Sequence, residues 1–99
     1  MVKEINKDEF NEVIKEKKVL VDCFANWCGP CKMLSPVLDN LSEEIKDYNF
    51  YKLDVDKAND IAVNYNVMSI PTLLIFNDGS LVNRIVGLKS VNEIKEMLK

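Results

Sequence analysis

The chain predicts an α/β fold, a central mixed β-sheet with helices on both faces, and three stretches carry that prediction. Residues 18–24, Lys18-Val19-Leu20-Val21-Asp22-Cys23-Phe24, are almost continuously apolar, as in a strand covered on both faces inside a parallel sheet. Behind them Cys31, Leu34, Leu38, Leu41 and Ile45 recur at helical spacing, the stripe of a long amphipathic helix. A further apolar run at 50–55 then makes strand, helix, strand, a crossover that leaves its strands parallel. Near the other end, 72–76 and 81–86 are β-type runs joined through Asn77-Asp78-Gly79-Ser80, which is a hairpin signal.

The remaining elements follow in order. Asn6 with Glu9 is a capping-box pattern, and Phe10, Val13 and Ile14 then share one helical face. Pro36 lies inside the long helix, removes one backbone donor and should kink it. A short helix is expected near 59–65. Ser90 with Glu93 forms a second capping box, opening a last helix with an apolar face of Val91, Ile94, Met97 and Leu98. Gly and Pro number three each, so segments are long and turns few. No repeat or linker divides the chain, and one domain over residues 1–99 is expected.

Composition narrows the function. Hydrophobic residues make up 47% and charged residues 29%, which is ordinary globular usage. A net charge of −3 argues against nucleic-acid binding and against a polybasic membrane patch. No apolar run is long enough to span a bilayer, and the first residues contain no apolar leader, so a cytoplasmic location is expected, with a mature form already cut as the alternative. With no histidine, Ser-His-Asp and Cys-His catalysis are excluded, and zinc loses its usual nitrogen ligand.

The chemistry concentrates in Trp27-Cys28-Gly29-Pro30-Cys31, just after the buried strand and at the opening of the long helix. Open α/β sheets place function outside the carboxyl ends of their strands. First-turn N–H groups and the helix dipole there should favour a Cys28 thiolate over the thiol. Two intervening residues bring the second sulfur within bonding reach, and Pro30 stiffens the turn. Cys31 falls on the inward stripe and should be the less exposed sulfur. A disulfide in so small a ring suits reversible thiol–disulfide exchange. Half of a zinc site is the alternative, but no second Cys pair completes it; a cluster shared between two chains stays open.

The segment from Val21 to Met33 closely resembles the active-site segment of the thioredoxin family. Asp54-Val55-Asp56, Val67-Met68-Ser69-Ile70-Pro71-Thr72-Leu73 and Val86-Gly87 resemble further family segments, in order and at the right separation. The resemblance implies the thioredoxin fold, with Cys28 as attacking thiolate, Cys31 as resolving thiol and Gly29 and Pro30 as the active-site turn. It implies that Asp22 takes the resolving proton and that Lys52 modulates Asp22. Physics agrees in part, because an acid within an apolar strand is costly unless paired or neutral. A carboxylate turned to water at a strand end is the other reading of Asp22, and a solvated charge that of Lys52.

Trp27, which alone would suggest core packing, is implied to cover the disulfide. Only about 5–6% of X–Pro bonds are cis, so sequence alone makes Ile70-Pro71 trans, whereas the resemblance implies cis. It further implies that Met68, Ser69 and Ile70 pair their backbone with an extended target and that Gly87 completes an apolar rim. Cys23, Phe24 and Asn26 depart from frequent family residues, which bears on substrate preference; Cys23 alone reads as a small core hydrophobe.

The implied function is a protein-disulfide reductase and electron carrier, re-reduced by a thioredoxin reductase. No cofactor is expected beyond the redox-active disulfide, since no nucleotide-binding motif is present. Disulfide-containing proteins are the implied substrates, and a monomer is expected. The alternatives are a disulfide oxidase or isomerase on the same fold, or a binding subunit with incidental cysteines. Gly29-Pro30 speaks against the oxidase, because oxidising relatives usually carry His in that pair.

Overall fold

A computed structural model describes residues 1–99. Its elements run β1 (Lys3–Ile5), α1 (Lys7–Val13), β2 (Lys18–Phe24), α2 (Gly29–Glu44), β3 (Asn49–Asp54), α3 (Asn59–Asn64), β4 (Thr72–Asn77), β5 (Ser80–Val86) and α4 (Val91–Met97). The apolar run of β2 takes the centre of a five-stranded sheet of order β1-β3-β2-β4-β5. It pairs in parallel with β3 and antiparallel with β4, so the sheet is mixed. Every residue from Val19 to Cys23 is buried, which is why the segment reads as continuously apolar.

Strand parity divides the core in two. Leu20, Phe50, Leu73, Ile75 and Ile85 face Leu34, Leu38 and Leu41 of α2 and Ile94 of α4. Val19, Val21, Cys23, Leu53, Leu74 and Phe76 face Phe10 of α1 and Ile61 of α3. Helices therefore cover both faces, as expected, and Asp22 shares the α2 face with Leu20 by the two-residue period of the strand.

Both capping boxes form. The Asn6 and Ser90 side chains accept the Glu9 and Glu93 N–H groups at 2.9 and 3.2 Å. α2 continues through Pro36 as one helix. The hairpin is tighter than expected: Asn77 pairs with Ser80, and Asp78 and Gly79 alone make the turn at φ 50° and 88°, the type I′ pattern.

Several expectations need correction. Sequence reading missed β1, because three residues against the edge of β3 carry no period that can be counted. β3 ends at Asp54, before Val55. The Asp54 carboxylate accepts the Asp56 N–H at 2.9 Å and turns the chain out of the sheet. In α4 only Ile94 and Leu98 reach the core. Val91 and Met97 remain exposed, since the helix covers the sheet near its edge strand and leaves its flanks in water.

On the α1 side, Phe10, Tyr65 and Phe76 meet edge to face with centroids 5.5 to 5.9 Å apart. Phe10 is fully buried and is the only buried side chain of its short helix. Phe10→Ala should therefore cost about 3–5 kcal/mol, read as a lower urea midpoint with an unchanged denaturant slope. A loss below about 1 kcal/mol would mean that α1 is not held through this ring.

Candidate functional site: a disulfide between a groove and a buried carboxyl

At the carboxyl end of β2 the chain turns through residues 25–28, where the Cys28 N–H donates to the Ala25 carbonyl at 3.2 Å. Cys28 then caps α2, and its Sγ accepts the Cys31 N–H at 3.2 Å. Pro30 occupies the first helical turn, where a missing N–H costs nothing. Three residues on, Cys31 faces inward, and the two sulfurs are bonded with Cα atoms 5.3 Å apart. A Cβ on Gly29 would meet nothing within 4 Å, so the fold itself does not require glycine there. Cys28 and Cys31 are equally buried at 4%. The expected difference in exposure is absent because Ala25, Phe24, Val55 and Ile70 pack around both.

The disulfide nevertheless has two different surroundings. Cys28 lines an open groove of about 440 Å³ between residues 27–30 on one side and 67–70 on the other. Trp27 is 72% exposed and forms part of this wall, so it is not a core residue. Its indole N–H donates to the Asp56 carboxylate at 2.9 Å. Opposite, the Ile70-Pro71 bond is cis, as the resemblance implied, and the Ile70 carbonyl oxygen lies 3.8 Å from Cys28 Sγ. Thr72 Oγ1 donates to the Ser69 carbonyl at 2.6 Å, and the Gly87 N–H to the Pro71 carbonyl at 2.8 Å. Gly87 thus braces the proline from behind and does not line the groove. Met68 is almost wholly exposed, and the Met68 and Ile70 backbones pair with no other backbone group.

Cys31 instead lines a smaller cavity of about 150 Å³, shared with Asp22, Asn26, Lys32, Ser35 and Lys52. Asp22 is only 3% exposed, so the reading of it as a strand-end carboxylate in water does not hold. It pairs with Lys52 on β3 and Leu73 on β4, and its Oδ1 has no hydrogen-bond partner. Burial pushes its pKa up from an ordinary 3.8 to about 7, against the opposing pull of the Lys52 charge. Lys52 is half-buried, with Nζ 5.5 Å from the centre of the Phe24 ring. Cys23 points to the opposite face, where burial and then the Asp22 charge push its thiol up to about 12. A free thiol so placed is an inert core group.

Sequence reasoning assigned no role to Asp56, Ser35 or Lys32. The signal for Asp56 was its place just past the end of β3, beside the end of β2. The signal for Ser35 was its spacing of four from Cys31, which puts both on one helical face.

A disulfide capping a helix at the carboxyl end of the central strand of a mixed sheet, with an open groove on one sulfur and a buried acid beside the other, is the arrangement of a dithiol–disulfide oxidoreductase. Comparison with known proteins narrows that class. The thioredoxin family model matches residues 1–99. The thioredoxin of Mycoplasmoides gallisepticum is 45% identical over 95 residues, 95% of either chain. That of Chlamydia pneumoniae is 48% identical over 89 residues, 90% of this chain and 87% of the other. Oxidised mitochondrial thioredoxin 3 of Saccharomyces cerevisiae superposes with a TM-score of 0.89 at 35% identity, covering 98% of this chain and 92% of its own. Plasmodium falciparum thioredoxin gives 0.91 at 32% identity, covering 98% and 96%. The chain belongs to the thioredoxin family and is a dithiol–disulfide redox carrier, a protein-disulfide oxidoreductase. Members of this family reduce disulfide substrates and are re-reduced by thioredoxin reductase. No helix is long and apolar enough to cross a membrane, and no cluster of three or more His, Cys, Asp or Glu is placed to hold a metal ion.

The raised pKa of Asp22 has a consequence for stability. Folded Asp22 keeps its proton up to about pH 7, whereas the unfolded group loses it near 3.8. Stability is full below the unfolded value and falls as pH rises through the folded one. Asp22→Asn should therefore stabilise the oxidised protein by roughly 3–4 kcal/mol at pH 8 and scarcely at pH 4, measured by guanidinium unfolding. An equal gain at both values would show that this carboxyl does not carry the effect.

Proposed function

We propose that this chain acts as one domain that reduces protein disulfides by exchange through Cys28 and Cys31, without a bound cofactor. The observation that supports it best is the division of the disulfide between an open groove at Cys28 and an acid-lined cavity at Cys31. In the dithiol form the Cys28 thiolate attacks one sulfur of a target disulfide. A mixed disulfide forms, and the other target sulfur leaves and takes a proton from solvent. The Cys31 thiol then gives its proton to the Asp22 carboxylate and attacks Cys28 Sγ. The intramolecular disulfide closes, the second target sulfur leaves as a thiolate that takes a proton from solvent, and two electrons have passed to the target.

Each surrounding group has a part in that sequence. The Cys31 N–H and the α2 N-terminus favour the Cys28 thiolate. An acid titrating near neutrality can take a proton and release it again, and the Lys52 charge keeps its pKa from rising further. Gly29 and Pro30 form the turn. Trp27, Met68, Ser69, Ile70 and Pro71 bind an extended target segment, which finds unpaired backbone groups at Met68 and Ile70, while Gly87 supports Pro71. We place this carrier in the cytoplasm as a monomer, with disulfide-containing proteins as substrates and a thioredoxin reductase as electron donor.

Mixing Cys31→Ser with a disulfide-bonded protein should trap a covalent adduct through Cys28, seen by mass spectrometry, and Cys28→Ser should form none. Turnover by both variants at the wild-type rate would favour a binding subunit with incidental cysteines. The midpoint potential, followed by Trp27 fluorescence, should lie near −270 mV, the established thioredoxin value. A value of about −120 to −180 mV would make the protein an oxidase or isomerase.

A further inference from the structure

The cavity beneath Cys31 has polar groups, Ser35 among them, for which the exchange chemistry above has no use. Ser35 follows Cys31 by one turn of α2, and its half-buried side chain faces the same space as Cys31, Asp22 and Lys52. The Ser42 hydroxyl turns back onto its own helix, 2.7 Å from the Asp39 carbonyl oxygen, whereas Ser35 makes no such bond. Nearby, the Asp22 carboxyl is buried with Oδ1 unpartnered, a state that is costly unless water reaches the group. About 150 Å³ gives room for several water molecules at ~30 Å³ each, and the lining offers them polar partners.

The lining groups differ in what they can do with a proton. Lys32 and Lys52 only donate, and the Asn26 amide is directed at Asp54, 3.4 Å away. Ser35 carries the one hydroxyl in the cavity, and a hydroxyl accepts and donates at once, as a relay requires. We propose that Ser35 is a positioning residue for proton transfer: its hydroxyl holds a water against the Asp22 carboxyl and carries to solvent the proton that Asp22 takes from Cys31. This rests on Asp22 being the proton acceptor. The proton leaves Cys31 Sγ as that sulfur bonds Cys28 and the Cys28–target bond breaks, stays on Asp22, and passes through Ser35 and water to solvent, restoring the carboxylate, while the departing target thiolate takes its own proton from solvent. The groups facing Asp22 are Lys52 from β3 and Cys31 and Lys32 from α2. β4 contributes uncharged Leu73, and Cys23 on its own strand points away.

The test is stopped-flow reduction of a disulfide-bonded peptide by the dithiol protein, followed by Trp27 fluorescence from about pH 5 to 9 in H₂O and D₂O. Ser35→Ala should slow the resolving step about fivefold near neutrality, the equivalent of one ordinary hydrogen bond, with a larger solvent isotope effect. Ser35→Thr, which keeps the hydroxyl, should restore the wild-type profile. Midpoint potential and urea stability should stay at wild-type values in Ser35→Ala, which a merely structural role would not predict. A Ser35→Ala profile matching wild type, or equal slowing by Ala and Thr, overturns the proposal. Asp22→Asn separates the two failures. If it slows resolution while Ser35→Ala does not, only the role of Ser35 falls; if it too matches wild type, the proton-acceptor role of Asp22 falls and takes the relay with it.

Discussion

A carboxyl group held in the middle of β2, with one oxygen lacking any hydrogen-bond partner, sets the terms for everything around it. Burying such a group costs several kcal/mol if it ionises, so it keeps its proton to near neutral pH. The fold tolerates this because β2 is central. It is paired along both edges and packed on both faces, and the gain from burying its apolar neighbours outweighs one unfavourable group. On an edge strand the same residue would turn to water and titrate as an ordinary acid. The chemistry of Asp22 is therefore a property of its place in the strand order, and the strand order follows from the apolar run that surrounds it.

The disulfide stands where two constraints meet. The end of β2 delivers the chain to the start of α2, where unpaired N–H groups face Cys28. Helical spacing then sends Cys31 inward, over the same sheet face that carries Asp22. Two sulfurs of equal burial thus acquire unequal surroundings: the first adjoins a groove with an exposed indole and unpaired backbone, and the second adjoins an enclosed acid. Asymmetry of that kind distinguishes two otherwise identical atoms by what can reach each of them. The loop holding Pro71 completes the groove because bonds from Thr72 and Gly87 fix it from behind, which leaves the Met68 and Ile70 backbones unpaired.

Much of this was legible in the residues because the strongest signals were long or chemically unambiguous. The β2 run, the stripe of α2 and the two capping boxes each stand on several mutually consistent positions, and each appears as expected, except that Ile45 of the stripe falls just past the end of α2 in extended backbone. Strand β1 left no trace, since three residues paired to one neighbour carry too little pattern. The end of β3 was misread because Val55 continues the apolar run, while the Asp54 side chain bonds the backbone two residues ahead and ends the strand. Exposure around the disulfide was misread for another reason. Helical phase says which way Cys31 points, but only packing from distant Ile70 and Val55 decides how well Cys28 is covered. Trp27 and Asp56, far apart in sequence, meet through an indole hydrogen bond that no local pattern announces.

Asp22 and Cys23 are adjacent, both buried, and opposite in consequence. One faces the cavity under Cys31, and the other faces the aromatic core of α1 and α3. A slip of one residue in the pairing of β2 would exchange them. The free thiol would then lie beneath the disulfide, where it could compete for it, and the acid would enter the mainly apolar core around Phe10, Ile61, Leu74 and Phe76. Pairing with β3 on one edge and β4 on the other opposes that slip twice, since both registers must shift together. The apolar residues Val19, Leu20 and Val21 oppose it only weakly, because all three suit either face. The alternation of acid and thiol at positions 22 and 23 is therefore itself part of what specifies the register, and the acid that lines the cavity under Cys31 also penalises the misfolded alternative.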